Sequence, residues 1–332
     1  MVDVVPAKLA PIPLGTFPTP VERLRALERR GCELWVKRDD LSAEPYGGNK
    51  VRKLEYLLAD ARRRGKGKIL TVGAAGSHHV LATTVHGRRH GFEVGALLVS
   101  QPGTAHGEAN LRAGLAQGLT PIPTSMLSLP LRAWLAMDDD VYFITVGGSN
   151  LVGSLGYVDA GLELAGQIAR AELPAPHVVV VALGSGGTAA GLAVGLAEAG
   201  LETRVVGVAV GKPVVALRLM AHRLVRQVAD ARGVERDAAL SRLTVDARWV
   251  GPGYGRSTLA AAEAIARAED AGLVLDTTYT GKAFAATLAR MEERDGAERV
   301  LFWNTLSSRP LKPLLGGDAG SALTPRLRRL LV

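Results

Sequence analysis

The sequence predicts an α/β fold with two open, twisted, mostly parallel sheets covered by helices. Three observations carry that expectation. Continuously apolar runs such as VVVVAL (Val178 to Leu183) alternate with amphipathic helical stretches, the pattern of strands buried on both faces. The 332 residues are 47% hydrophobic, enough for one large core or two moderate ones. No linker or low-complexity segment divides them, so two sheets in this length imply a chain that crosses between lobes more than once.

Taken in order, TPVERLRALERRG reads as a helix. Thr19 would be its N-cap, Pro20 its first residue, Glu22 the third member of a capping box, and Gly31 its end. ELWVK (Glu33 to Lys37) alternates like a strand. After Lys50, apolar Val51, Leu54, Leu58 and Ala61 recur at helical spacing and mark a buried face. KILTVGA (Lys68 to Ala74), a helix after Ser77, EVGALLVS (Glu93 to Ser100), a helix around Glu108 to Gln117, a TPIP strand and VYFITV (Val141 to Val146) follow. A long helix over Leu155 to Ala171 leads into VVVVAL, a glycine loop and a helix reaching Gly200. RVVGVAV (Arg204 to Val210) precedes helices at Leu217 to Arg232 and Ser257 to Ala271. The strand GLVLD (Gly272 to Asp276), a helix from Gly281 to Arg294 and the strand RVLFW (Arg299 to Trp303) complete the series.

Composition narrows the function classes. Cys32 is the only cysteine, so no internal disulfide can form and a reducing compartment is expected. The N-terminal stretch MVDVVPAKLAPIPLGTFPTP lacks the basic start and apolar run of a signal peptide, and VVVVAL is too short to span a bilayer. A cytoplasmic protein with no membrane partner is the expectation. The net charge of +8 comes from arginines dispersed over helix faces, without interleaved aromatic residues, so no nucleic-acid partner is expected. A positive field also favours small anionic ligands.

Two segments carry chemistry. In YGGNKVRKLEYL, Lys50 stands at the start of a helix, where the dipole is positive and a lysine gains nothing electrostatically. It either reaches into water or is held there for chemistry. In GSGGTAAGL (Gly184 to Leu192), a buried strand opens into a helix through glycines. Gly184, Gly186 and Gly187 permit close approach by an anion, while Ser185 and Thr188 add hydroxyl donors. The loop has no Walker lysine and no clean G-x-G-x-x-G, so a single phosphate fits it best, a tight turn being the bland alternative. A phosphate cradle with an oddly placed lysine points to pyridoxal 5′-phosphate, which needs an anion site and a Schiff-base lysine.

The segments GGNKVRKLEYL, ALGSGGTAAGL, GPGYG (Gly251 to Gly255) and LDTTYTGKAF (Leu275 to Phe284), in this order, resemble the family of D-cysteine desulfhydrases and 1-aminocyclopropane-1-carboxylate (ACC) deaminases. The resemblance runs from PTPVERL to VLFWNT. It implies a tryptophan-synthase-β-like, fold-type II enzyme that forms a homodimer. Residues 1–50 and 160–332 would make its large cofactor-binding domain, and 51–159 its small domain.

On that resemblance Lys50 holds the cofactor and moves the substrate's α-proton, and Lys53 contacts the phosphate, a solvated helix lysine being the alternative. Ser77 would meet the substrate carboxylate or attack an ACC ring, though serine is also a common N-cap. Where the family reads Q-S-N-H, this chain has Gly76, Ser77, His78 and His79. His78 therefore stands where an asparagine would bond the cofactor's phenolic oxygen, and it can titrate. A metal is not expected: adjacent histidines on a helix face different ways, and no third ligand is evident. Tyr254 and Tyr279 match tyrosines lining the substrate pocket, and Thr280 matches the residue facing the pyridine nitrogen.

A hydroxyl at that last position leaves the ring a weak electron sink. That suits loss of a β-substituent from a small amino acid, giving a 2-oxo acid and ammonia, better than ring opening. The family's H-T-G-G appears here as Asn304, Thr305, Leu306 and Ser307, which should reshape the pocket. β-Replacement, an ACC-deaminase-like reaction or a catalytically altered cofactor-binding protein are the alternatives. A dinucleotide oxidoreductase would share the pattern but leaves Lys50 unexplained.

Overall fold

The computed structural model describes residues 9–29, 31–293, 296–316 and 323–331. The reading of residues 1–8 and the expected helix end at Arg294 lie outside the described residues. Along the chain the strands are β1 (Val21–Arg23), β2 (Glu33–Lys37), β3 (Lys68–Ala74), β4 (Glu93–Val99), β5 (Leu119–Pro123), β6 (Val141–Ile144), β7 (Val178–Leu183), β8 (Arg204–Ala209), β9 (Leu243–Asp246) and β10 (Arg299–Trp303). The helices are α1 (Lys50–Arg63), α2 (His78–Arg89), α3 (Ala105–Ala116), α4 (Leu129–Leu135), α5 (Leu151–Ala169), α6 (Gly187–Glu198), α7 (Val214–Arg232), α8 (Arg236–Ser241), α9 (Leu259–Glu269), α10 (Thr280–Glu293) and α11 (Pro325–Arg328). None is long and apolar enough to cross a membrane.

Two sheets result. One is four-stranded and parallel, in the order β5-β4-β3-β6. The other is six-stranded, in the order β1-β2-β10-β7-β8-β9, and parallel apart from the β1–β2 pair. Strand β7 shows why its sequence is apolar throughout. Val179, Val181 and Leu183 enter the core with α5 and α6, while Val178, Val180 and Ala182 enter the core with α10. Burying a valine-sized side chain contributes about 1.5–3 kcal/mol before entropy is subtracted, and here both faces contribute.

Local signals misled in two places. The segment 19–31 is not a helix: Val21–Arg23 pairs antiparallel with Trp35–Lys37, and only Arg25–Leu27 make a 3₁₀ turn. The capping residues are used elsewhere. The Thr19 hydroxyl donates to Asp39 Oδ1 at 2.9 Å, and Glu22 accepts from Arg38 at 2.8 Å. Edge pairing and these distant partners override local propensity. The segment GLVLD is also not a strand. Leu273 and Leu275 are buried, but the sheet edge beyond β8 is filled by β9, which the sequence pattern did not announce. Helix α4 was likewise unexpected, and α5 starts at Leu151 instead of Leu155, capped by Asn150.

Helix α5 lies against α1 on one side and α6 on the other at backbone distance. A Cβ on Gly156 would stand 2.0 Å from the Arg52 carbonyl oxygen; on Gly195 it would stand 2.3 Å from that of Val158. Arg52, buried on α1, reinforces the contact by donating to Asp39 at 2.8 and 3.0 Å and to Glu163 of α5 at 2.9 Å. Burial alone would raise the Asp39 carboxyl, yet the Arg52 guanidinium outweighs it and holds the group at about 2. Breaking such a buried pair by removing one partner costs about 3–5 kcal/mol.

The helix contact yields a signed prediction. On helix propensity alone, Gly156→Ala would stabilise the protein by about 0.5–1 kcal/mol. The blocked Cβ position instead predicts destabilisation of about 1–3 kcal/mol, read as a lower urea midpoint at unchanged m-value. A raised midpoint would contradict the packing described here.

Candidate active site

Three strand-to-helix turns converge where β6, β7 and α1 meet. Lys53, one turn into α1 and 2% exposed, points its Nζ at Ser149 Oγ (3.0 Å) and at the Gly147 carbonyl (3.2 Å). Ser149 Oγ lies 2.7 Å from Ser185 Oγ and accepts from the Gly187 N–H at 3.2 Å. Gly186 takes φ +90°, and a Cβ on Gly187 would come 2.7 Å from Ser149 Oγ and 3.0 Å from Lys53 Nζ. The result is a cradle of backbone and hydroxyl donors around a buried ammonium at the N-terminus of α6. Among the described residues, no carboxylate lies within ion-pair distance of Lys53. Burial, with the Lys50 charge adding to it, holds the Lys53 pKa well below the ordinary lysine range.

Lys50 opens α1 and is half-buried. Its Nζ donates to Asn49 Oδ1 at 2.9 Å, and Asn49 Nδ2 donates to Thr188 Oγ1 at 3.1 Å, tying the amine to the glycine loop. Burial lowers its pKa to about 8, partly offset by the charge of Asp276. The loop before Lys50 is gripped by the Asn304–Ser307 segment. Asn49 N donates to the Thr305 carbonyl at 3.0 Å, and Gly47 N to Ser307 Oγ at 2.9 Å. Gly48 must be glycine: its φ is +87°, and a Cβ would stand 2.9 Å from Thr305 O.

Opposite stands the start of α2. Ser77 Oγ caps the helix, accepting from His79 N at 3.2 Å and Val80 N at 3.5 Å, and its hydroxyl proton is left free to donate. The two histidines part company. His79 turns inward, its Nε2 2.9 Å from Thr71 Oγ1. His78 faces the cleft: Nδ1 is 2.6 Å from the Tyr46 hydroxyl, and Nε2 is 3.1 Å from His106 Nε2 and 3.6 Å from Asp276 Oδ2. Burial, then the charges of His106 and Lys50, lower the His78 pKa to about 3, so its ring is neutral. Among the described residues no group of three or more His, Cys, Asp or Glu is arranged to hold a metal ion.

The start of α10 forms the remaining wall. Asp276 Oδ1 accepts from Tyr279 N at 2.6 Å and Thr280 N at 2.8 Å. The Thr280 hydroxyl accepts from Asp276 N at 2.7 Å and lies 3.3 Å from Asp276 Oδ1, so it is engaged in capping its own helix. Tyr279 covers the glycine loop, its ring 3.1 Å from where a Cβ on Gly184 would be, and its hydroxyl is 2.7 Å from that of Tyr254. Buried Lys282 positions Tyr254 indirectly, donating to the carbonyls of Val250 (2.9 Å) and Gly253 (3.0 Å) in the GPGYG loop.

A chain of contacts thus brings the residues singled out by sequence together with several others. Ser149 lay in GGSN, a second glycine turn between strand and helix that could have been noticed. Asn49 adjoins the lysine. Tyr46, His106, Asn110 and Asp276 had no local signal.

With this geometry, residues 12–305 match the family described as pyridoxal-phosphate dependent enzyme. The chain belongs to the pyridoxal-phosphate-dependent enzyme family. It is 34% identical over 305 residues to D-cysteine desulfhydrase of Yersinia pestis (strain Pestoides F), covering 86% of this chain and 90% of the relative. The crystal structure of an ACC deaminase homologue is similar, with a TM-score of 0.78 and 30% identity over 93% of this chain and 97% of that one. A fungal L-serine ammonia-lyase from Rhizomucor miehei, 18% identical, shares the fold with a TM-score of 0.64 over 89% of this chain and 96% of its own.

The residues present fit the cofactor of this family of enzymes. The Lys53 ammonium lacks an anion, the donors around it converge, and a Cβ on Gly187 would fill the space between them. Gly187→Ala should therefore weaken pyridoxal phosphate at least about tenfold, the order of one lost hydrogen bond to a charged group, as measured by spectroscopic titration. Unchanged affinity would place the phosphate elsewhere.

Proposed function

We propose that this pyridoxal-phosphate-dependent enzyme is a lyase that removes a β-substituent from a small amino acid, with D-cysteine or a close relative as substrate. The observation that carries the reading is the Lys50 amine, lowered to about 8 and tied through Asn49 to Thr188 of the glycine loop. When bound, the cofactor supplies an aldehyde for linkage to a lysine and a ring that withdraws electrons from the substrate's α-carbon.

In this reading Lys50 Nζ holds the cofactor and then takes the proton from the substrate Cα. Lys53, Ser149, Gly184, Ser185, Gly186, Gly187 and Thr188 hold the phosphate. The free hydroxyl proton of Ser77 and the backbone N–H groups beside it bind the substrate carboxylate. Burial keeps the Tyr279 phenol protonated, so it can donate across the cleft with Tyr254 beside it. His78 and Thr280 face the cofactor ring. As the Cβ–S bond breaks, its electron pair leaves with sulfur as hydrogen sulfide, and water converts the enamine to pyruvate and ammonia. The same reading takes residues 1–50 and 160–332 as the large domain and 51–159 as the small one, in a cytoplasmic homodimer without nucleic-acid or membrane partners.

One observation favours a second reading. The Asp276 carboxylate, 3.3 Å from the Thr280 hydroxyl, brings to this wall the negative charge that a lone threonine lacks. That suits ACC-deaminase-like chemistry, as does the similarity to the ACC deaminase homologue.

The test is product analysis with purified holoprotein. Elimination predicts pyruvate and sulfide from D-cysteine, and Lys50→Ala should abolish the visible band of bound cofactor and cut turnover by about 10²–10⁴ or more. No pyruvate from any β-substituted alanine would reject elimination, and 2-oxobutanoate from ACC would establish the second reading.

Only the neutral amine is a nucleophile. Apoprotein should therefore take up pyridoxal phosphate faster as pH rises through about 8, then level off. A rate independent of pH across that range would remove Lys50 from the attachment step.

A further inference from the structure

The imidazole of His106 has no part in the reading so far, yet it stands 3.1 Å from His78. We propose that His106 is a positioning residue: by accepting the Nε2 proton of His78 it keeps that ring out of an ion pair with Asp276. The inference rests on the reading that places His78 in the cofactor site.

The hydrogen-bond inventory of His78 fixes the direction of each bond. At Nδ1 the Tyr46 hydroxyl stands 2.6 Å away and the Asn110 amide nitrogen 3.4 Å away. An amide NH₂ can only donate. Tyr46 makes no other side-chain hydrogen bond among the described residues, and burial keeps its phenol protonated, so it donates too. Nδ1 is therefore the acceptor, and the proton of the neutral ring belongs on Nε2.

That Nε2 has two candidate acceptors. His106 Nε2 is at 3.1 Å, within hydrogen-bond range, and Asp276 Oδ2 is at 3.6 Å, beyond it. The bond goes to His106. The two rings are tilted by 38° with centroids 4.8 Å apart, so they are also in packing contact. Asp276 Oδ2 is left without a hydrogen bond among the described residues, while Oδ1 is fully used by the cap of α10. Asp276 thus remains an uncommitted charge that Lys50 feels.

The groups facing this cluster are few. Tyr46 comes from the loop before α1, Lys50 from α1, His106 and Asn110 from α3, and Asp276 from the turn before α10. Two of them, His106 and Lys50, oppose a charge on His78, and Asp276 alone would support one. Take away the His106 acceptor and the nearest partner for His78 Nε2–H is the carboxylate. An opposite charge at that range raises a histidine pKa by about 1–3 units. From about 3 that brings the group to about 4–6, so the pair would form as pH falls below neutrality, tying up Asp276.

The experiment compares holoprotein carrying H106F, which keeps a ring but no acceptor, with H106Q, whose carbonyl oxygen can replace the acceptor. Histidine-ring NMR titration reads His78 directly, assigned with H78N. In the unaltered chain and in H106Q, His78 stays neutral down to the acid limit of stability. In H106F it titrates at least about one pH unit higher, toward the ordinary histidine value near 6.5. An acid-side transition in the visible band and in kcat/KM should accompany it. A His78 titration unchanged in H106F, or H106Q behaving as H106F does, would overturn the proposal. His106 is exposed, and far-UV circular dichroism checks that both variants fold. A protein that never shows a visible band would refute the cofactor-site reading, whereas the ring titration still decides the role of His106.

Discussion

Helices α1, α5 and α6 touch through backbone atoms, and that contact brings Lys53, Ser149 and the glycine loop together. Lys53 belongs to α1, Ser149 to the turn before α5, and Gly187 to the first turn of α6. Each would be unremarkable alone. Because Gly156 and Gly195 let the three helices close to backbone distance, their leading ends arrive within hydrogen-bond reach of one another. Any side chain at these positions would push the donors apart before it disturbed the sheets. Among the described residues no carboxylate lies within ion-pair distance of Lys53, and the Ser149 hydroxyl and Gly147 carbonyl hold its amine in place.

Much of this was legible in the sequence because it is local. The apolar run of β7 faces helices on both sides, so its pattern needs no alternation, and it announced a parallel sheet. The glycine turn after it and the lysine at the start of α1 were visible as departures from what a plain turn or helix start would use. The first segment failed for the opposite reason. Thr19, Pro20 and Glu22 form a good local capping signature, but Asp39, Glu163 and Arg38 claim their polar groups, and β2 claims the backbone. Those partners lie up to 144 residues away. His106 was invisible on the same grounds, since only the packing of α3 against α2 brings it to His78.

The electrostatics of the cleft are governed by scarcity of negative charge. Lys50 and Lys53 sit within range of each other, and burial depresses both. Asp276 is the carboxylate that acts on this space, raising Lys50 and supporting His106 while burial raises its own pKa. Arg52, between the two lysines in sequence, is screened from them by its own acids, Asp39 and Glu163. One helix thus carries one paired cation, Arg52, and two lysines whose charge burial disfavours. The neighbouring histidines stay neutral, so they add donors and acceptors without adding positive charge.

Strand β10 is the last strand among the described residues, yet it lies between β2 and β7 in the middle of the large sheet. The residues that follow it grip the turn in front of Lys50. During synthesis Lys50 emerges well before the segment that grips the turn in front of it. A product terminated before β10 would leave the facing edges of β2 and β7 unpaired. Closure of the turn before Lys50 therefore waits on β10 and the residues that follow it.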